Sequence, residues 1–141
     1  MSQLSGGENL NQSKIQLIVG IDVAAKTFSA AWGPNGNHIG SAYEFEQKQD
    51  DFQKFLIKIK ATGHPLNSIL VVLEATGTYW MRLATYCHRA GMQVSVINPR
   101  QAYHFARAVL QHAKTDALDA QLLAQLGAKL TLEAWQPPSK G

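Results

Sequence analysis

Four acidic residues in this 141-residue chain stand where carboxylates could do chemistry. The first two, Asp22 and Glu74, come at or near the ends of the apolar runs IQLIVGIDV (15–23) and SILVVLE (68–74), which predict buried β-strands. Aspartate is a poor strand former and is costly to bury unpaired. If the two strands are parallel neighbours, both carboxylates meet at the carboxyl edge of the sheet, where open α/β sheets bind ligands.

The segment KTDALDA supplies the second acidic pair, Asp116 and Asp119. The apolar spacing that follows predicts a helix from Thr115 to about Leu130, and residues three apart on a helix share a face. A structural interpretation is also open, because Thr115 is a suitable N-cap and the helix dipole favours acids in the first turn.

Together the four acids predict an oxygen-rich site for a hard divalent cation. Mg²⁺ prefers carboxylates and water, and such ions support phosphoryl transfer by activating a nucleophile and stabilising a leaving oxygen. Zinc is disfavoured, because the chain has one cysteine and five histidines without ligand spacing. Structural alternatives remain for the first pair: Asp22 could cap a turn, and Glu74 could pair with Arg82 or Lys26.

Basic residues flank the last acidic segment. Arg100 and Arg107 are seven apart, so they share a helix face, and Lys114 follows with aromatic residues between them. Cations beside a carboxylate site suit contacts with a nucleic-acid backbone, and Lys26 could approach a phosphate in the same way. An ordinary solvated helix face is an equally good interpretation. The net charge of +3 is compatible with nucleic acid without establishing it.

The elements that must position these residues follow from periodicity and turn signals. A meander of three strands precedes alternating helices and strands, and a pair of helices ends the order. This order predicts an α/β fold with a mixed five-stranded sheet, helices on both faces, and the first and fourth strands as parallel neighbours at its centre. The predicted strands are 15–23, 27–33, 38–45, 68–74 and 92–97, and the later helices are 78–90, 100–110 and 115–130.

Composition favours a single folded domain, with 45% hydrophobic and 16% charged residues. Residues 1–14 form a polar sequence without an apolar signal core, so we expect a disordered tail and a cytoplasmic protein. No apolar run approaches the ~18 residues that span a bilayer. We place the domain at 15–130 and interpret the proline-containing residues 131–141 as a linker.

The chain resembles the N-terminal domain of the Piv/MooV-like transposases and DNA invertases, an insertion-sequence family named for its DEDD tetrad. The resemblance covers about residues 15–130 and is specific, because four segments occur in the family's order and spacing. These segments are GIDVAAKTF (20–28), LEATGTYW (73–80), GMQVSVINPRQAYHFARA (91–108) and AKTDALDAQLLAQL (113–126).

The resemblance implies an RNase H-like, RuvC-resolvase-like fold with the family's tetrad at Asp22, Glu74, Asp116 and Asp119. It implies Mg²⁺ or Mn²⁺, action on DNA at element ends, a structured guide RNA and a homo-oligomeric full-length protein. Family members continue into a second domain that carries a serine resembling a recombinase nucleophile, whereas this sequence stops at WQPPSKG. The isolated domain is therefore expected to lack complete recombination activity.

Two other classes of function remain to be weighed. Actin-like ATPases open with a similar topology, but they place a glycine-rich phosphate loop in the first hairpin, where GIDVAAKT has only Gly20. A non-cleaving module could bind nucleic acid or another transposase subunit, although four retained acids argue against a purely structural role. A metal titration separates this alternative from a nuclease.

Overall fold

A computed structural model describes residues 14–111 and 118–138, and in these residues five strands form one mixed sheet in the order β3-β2-β1-β4-β5. The predicted five-stranded mixed sheet is thereby confirmed. The strands are β1 Leu17–Val23, β2 Thr27–Gly33, β3 Tyr43–Glu46, β4 Ile69–Glu74 and β5 Gln93–Ile97. The helices are α1 Gln49–Lys60, α2 Trp80–Ala90, α3 Pro99–Leu110 and α4 Ala120–Lys129, and a short 3-10 turn covers Leu66–Ser68.

Strand β1 occupies the centre of the sheet, as predicted. It pairs antiparallel with β2 and parallel with β4, so that Ile21 lies beside Leu73. Strand β5 continues the parallel half of the sheet, with Glu74 beside Ile97. The carboxyl ends of β1, β4 and β5 therefore share one edge, and α1, α2, α3 and α4 all begin there.

The alternation of side chains along the strands creates two hydrophobic layers. Helices α1 and α2 cover one face, where the ring of Phe28 contacts those of Phe52 and Phe55 edge to face. Helices α3 and α4 cover the other face, packing small side chains such as Ala102 and Ala124 against β1 and β4. No helix in the described part of the chain is long and apolar enough to cross a membrane.

Among the element boundaries that differ from the prediction, those of β3 and α2 have a local cause. Strand β3 begins at Tyr43 rather than at 38, because Asn35 holds the preceding turn by accepting hydrogen bonds from the amide of Asn37 and the ring of His38. Helix α2 begins at Trp80 rather than at 78, because Gly77 has a φ of 69° and opens a turn that delays the helix.

Residues 131–138 lie against the domain. Leu132 is buried in the α3–α4 layer, and the backbone N–H of Trp135 donates to the carbonyl of Val94 on the outer strand at 2.7 Å. The Trp135 ring then reaches the opposite face, 5.8 Å from the ring of Trp80 and 6.4 Å from that of His88. This segment wraps the β5 edge of the sheet; its role as a linker stays a prediction.

Candidate active site

Two strand ends bring Asp22 and Glu74 side by side at the carboxyl edge of the sheet. Ile21 pairs with Leu73, so the residues that follow in these two parallel strands are neighbours. The pleat turns both carboxylates toward the α3–α4 face, because Ile18 and Val72 on the same sides of their strands lie in that layer. Asp22 reaches solvent and Glu74 is half-buried, so both are accessible to a ligand.

Gly20 determines how closely α4 approaches this pair. It lies two residues before Asp22, on the same side of β1, and a Cβ there would be 2.0 Å from the carbonyl oxygen of Ala120 and 2.3 Å from the amide nitrogen of Ala124. Only a residue without a side chain allows the first turn of α4 to lie directly on the strand. The absence of this one atom places the start of α4 beside Asp22.

Asp119 is the N-cap of α4, and this corrects the predicted helix start at Thr115. Its backbone is extended, with φ of −102° and ψ of −179°, and its Oδ1 accepts a hydrogen bond from the N–H of Leu122 at 2.9 Å. Leu118 and Asp119 precede the helix, so Asp119 is not inside a helix that starts at Thr115, and Asp116, its predicted partner on a shared face, lies outside the described residues. Aspartate outranks threonine as an N-cap, and here it takes that position.

The charges of the acids act on one another. The pKa of Asp22 is raised above its ordinary value, first by desolvation and then by the negative charge of Asp119. The pKa of Glu74 is also raised, first by desolvation and further by the charge of Asp22, while a hydrogen bond from Thr76 opposes the rise. Asp22 therefore lies electrostatically between the other two acids, and added positive charge would stabilise the group.

The alternative that Glu74 pairs with Arg82 or Lys26 receives no support among the described residues. The described residues hold two ion pairs, Lys48–Glu46 and Lys54–Asp51, and neither involves Asp22 or Glu74. The guanidinium of Arg82 lies over the ring of Phe52, 5.6 Å from its centroid, on the α1–α2 face.

The donor chemistry suits a hard cation, although the described acids do not complete a site by themselves. Asp22, Glu74 and Asp119 offer only carboxylate oxygens, which Mg²⁺ and Mn²⁺ prefer. Within 14–111 and 118–138, no three His, Cys, Asp or Glu residues form a group that could hold a metal ion. Asp116, the fourth predicted acid, lies outside the described residues.

The predicted basic residues occupy two places. Arg100 and Arg107 are exposed on α3, whose first turn begins at the carboxyl edge and is capped by the side chain of Asn98. Lys26 is exposed in the turn between β1 and β2, where its carbonyl accepts from the amide of Gln47 at 2.9 Å. Lys114 lies outside the described residues.

Sequence reasoning missed the positioning roles of two residues. Gly20 was noted only as an isolated glycine, although a glycine inside a strand signals close approach of another backbone. Thr76 lies in the turn after β4, and its hydrogen bond to the carboxylate of Glu74 depends on how that turn folds back. The role of Gly20 could have been predicted from its position inside a strand, whereas no sequence feature indicates the hydrogen bond of Thr76.

This sheet, with acids at the carboxyl edge and helices on both faces, is the RNase H-like fold. The Thermus thermophilus RuvC structure has the same fold, with a TM-score of 0.50 and 12% sequence identity over 84% of this chain and 99% of that one. The α/β, RuvC-like fold expected from the sequence is confirmed.

Residues 19–140 match the family model DEDD_Tnp_IS110, described as transposase, and the chain belongs to that family. A pilin gene-inverting protein of Moraxella bovis is 34% identical over 121 residues, which cover 86% of this chain and 37% of that protein. Its counterpart from Moraxella lacunata is 33% identical, with the same coverage. The resemblance stated from the sequence is confirmed, and the chain spans little more than a third of these relatives.

Proposed function

We propose that this chain is the catalytic domain of a transposase or recombinase that acts on DNA by divalent-metal-dependent phosphoryl transfer. The observation that carries the proposal is the convergence of Asp22, Glu74 and Asp119, whose charges act on one another at the edge of an RNase H-like sheet. None of the three has an ion-pair partner among the described residues, although Asp119 also caps α4 by accepting from the amide of Leu122. Membership of a transposase family supports the same class of reaction.

In this proposal Asp22, Glu74, Asp116 and Asp119 hold Mg²⁺ or Mn²⁺. The bound ion would supply Lewis-acid stabilisation of charge on the phosphate oxygens and lower the pKa of a nucleophilic water or hydroxyl. The chain's own groups prepare the site: Thr76 orients the carboxylate of Glu74, and the amide of Leu122 fixes one oxygen of Asp119 while leaving the other available.

Cations near the site bind the phosphate backbone in the same proposal. Arg100 and Arg107 line one side of α3, Lys26 stands in the turn beyond Asp22, and Lys114 belongs to the segment before Asp119. None of the described three has an ion-pair partner among the residues that the structure describes. Contacts to phosphate position a nucleic acid without reading its sequence.

The remaining features belong to the whole protein. We infer that residues 131–141 lead to a second domain, that a structured guide RNA selects the DNA site, and that the full-length protein is a homo-oligomer. The length of the relatives supports a longer protein, because this chain covers 37% of each. A domain that supplies only part of the machinery would have weak activity alone, so metal binding is a better test than DNA cleavage.

The experiment measures thermal unfolding of the 141-residue chain during titration with Mn²⁺. A ligand that binds only the folded state adds RT ln(1 + [L]/Kd), about 2.7 kcal/mol at 100 times Kd. Asp22→Asn should reduce this gain, and it should raise stability without metal because it removes a charge that is desolvated and faces Asp119. Asp50→Asn is the matched control, since Asp50 is an exposed acid at the start of α1.

Comparison of the three proteins distinguishes the possible outcomes. A large shift in the parent and in Asp50→Asn, with a small one in Asp22→Asn, supports the metal site. Equal shifts in all three remove Asp22 from the ligand set. The absence of a shift in the parent would favour the non-cleaving nucleic-acid-binding or assembly module instead.

A further inference from the structure

A long acid-free stretch separates the two halves of the acidic site. From Ala75 to Thr115 the sequence has no Asp or Glu, and it carries five basic residues. Three of these, Arg100, Arg107 and Lys114, belong to the α3 side already discussed. The other two, Arg82 and Arg89, stand on α2, which covers the opposite face of the sheet.

Arg82 and Arg89 line a groove between α1 and α2 with a volume of about 700 Å³. Its floor is apolar and aromatic: the half-buried Tyr86 and Leu56 line it above the buried Phe52, whose ring centroid lies 5.3 Å from that of Tyr86. Met81, 41% exposed, stands at the rim near the start of α2. The groove therefore combines an apolar floor with two cationic side chains.

The two arginines are not used by the fold as ion-pair partners. Both are exposed, and the two ion pairs of the described residues involve only lysines. Asp51 precedes Phe52 in α1. Its carboxylate accepts a hydrogen bond from the amide of Glu46 and forms an ion pair with Lys54. Helix α2 contains no acid of its own. Neither guanidinium group therefore pairs with a carboxylate of the described residues, and that of Arg82 lies over the ring of Phe52 at the groove, 5.6 Å from its centroid.

The spacing of the two arginines along α2 suits several linked phosphates better than a single anion. Arg82 and Arg89 are two helical turns apart, which is about 10 Å along the axis. A second copy of the chain fits poorly, because a two-fold contact through α2 would bring arginines together without any acid from that helix. An apolar floor bordered by cations is the combination that holds single-stranded nucleic acid, with bases on the floor and phosphates on the arginines.

We propose that the α1–α2 groove binds a single strand of nucleic acid, through phosphate contacts from Arg82 and Arg89 and base contacts with Tyr86 and Met81. The groove opens at the carboxyl edge, where α1 and α2 begin, so a strand leaving the acidic site on one face can continue onto the other. The volume of about 700 Å³ is large enough for a nucleotide. This proposal rests on the proposed function only in requiring that the protein meets nucleic acid.

The test is fluorescence anisotropy without divalent metal, so that binding is measured apart from the metal site. Probes are a labelled oligothymidylate, an oligouridylate and a duplex. The variants are Arg82→Gln with Arg89→Gln, the α3 pair Arg100→Gln with Arg107→Gln, and a control of equal charge change, Lys58→Gln with Lys129→Gln, whose side chains lie outside the groove.

Loss of two phosphate contacts should reduce the salt slope for a single strand by about 1.4 and the affinity at 0.1 M salt by about 25-fold. The lysine control should retain both values apart from a small general charge effect, and the duplex should lose less than the single strands. A difference between oligothymidylate and oligouridylate decides whether the natural strand is DNA or RNA.

Three results would overturn the proposal. An unchanged salt slope and affinity in the Arg82/Arg89 variant, with binding lost in the α3 variant, would show that the groove does not bind the strand and would leave the proposed function intact. If the parent bound none of the probes, both the groove proposal and the proposed function would be contradicted. A variant that binds normally but changes self-association in sedimentation would make the groove a contact between copies.

Discussion

Gly20→Ala tests whether close packing of α4 on β1 builds the acidic site. The added Cβ would be 2.0 Å from the carbonyl oxygen of Ala120, whereas ordinary contacts begin at 3.4 Å, so α4 has to move by roughly 1.4 Å. The atoms in the way belong to the backbone and cannot rotate aside. The same movement carries Asp119 away from Asp22.

Overpacking of a core costs about 1–3 kcal/mol, and we expect the upper end here because the obstacle is a helix backbone. At about 2–4 °C per kcal/mol for domains near this size, Gly20→Ala should melt about 10 °C lower than the parent. Circular dichroism measures the melting, and a Mn²⁺ titration of the same variant measures the site. The stabilisation by metal should also fall, since one acid has been displaced.

Gly40→Ala is the matched control, because a Cβ there would be 3.6 Å from the carbonyl oxygen of Trp32, an ordinary contact. We expect it to change stability by less than about 1 kcal/mol. Gly20→Ala and Gly40→Ala with the same melting temperature and the same response to Mn²⁺ would refute the argument that Gly20 positions α4.

Two further predictions concern residues outside the site. Asp51→Asn should destabilise the domain at neutral pH, because the hydrogen bond from the amide of Glu46, and then the charge of Lys54, lower the pKa of Asp51. A lowered pKa stabilises the folded state above the ordinary aspartate range, and this stability is lost on acidification. Urea unfolding should therefore show the stabilities of the two proteins converging in acid, and a difference that stays constant with pH would contradict this. Trp135→Ala should cost about 2 kcal/mol in the same assay by removing the ring contact with Trp80, whereas Trp135→Phe should retain most of it.

The central sheet was predictable from sequence because the residue patterns that specify its strands are short and local. Two apolar runs of strand length, each with an acid near its end, identify β1 and β4, and the order of elements makes them parallel neighbours. The antiparallel meander follows from the turn at 34–37. The positions of Asp22 and Glu74 at one edge then follow from topology, without knowledge of any side-chain contact.

The start of α4 and the course of the C-terminal segment were not predictable in this way. Thr115 and Asp119 are both good N-caps, and the choice between them depends on where α4 meets β1 through Gly20. Likewise, the prolines near the C-terminus predict an irregular exit, while the packing of Trp135 depends on the free edge of β5 and on α2. Both outcomes are set by contacts between residues distant in sequence.

Asp119 explains how the fold tolerates several acids in one place. The N-terminus of a helix carries roughly half a positive charge, and α4 presents that end beside Asp22 through the gap left by Gly20. One carboxylate oxygen of Asp119 is already held by the amide of Leu122, so this acid is stabilised by its own helix. Neither strand acid lies at the start of its own helix, and desolvation raises the pKa of both, although a hydrogen bond from Thr76 opposes the rise at Glu74. The helix therefore offsets part of the negative charge, and the part that remains lies on Asp22 and Glu74, where a cation would bind.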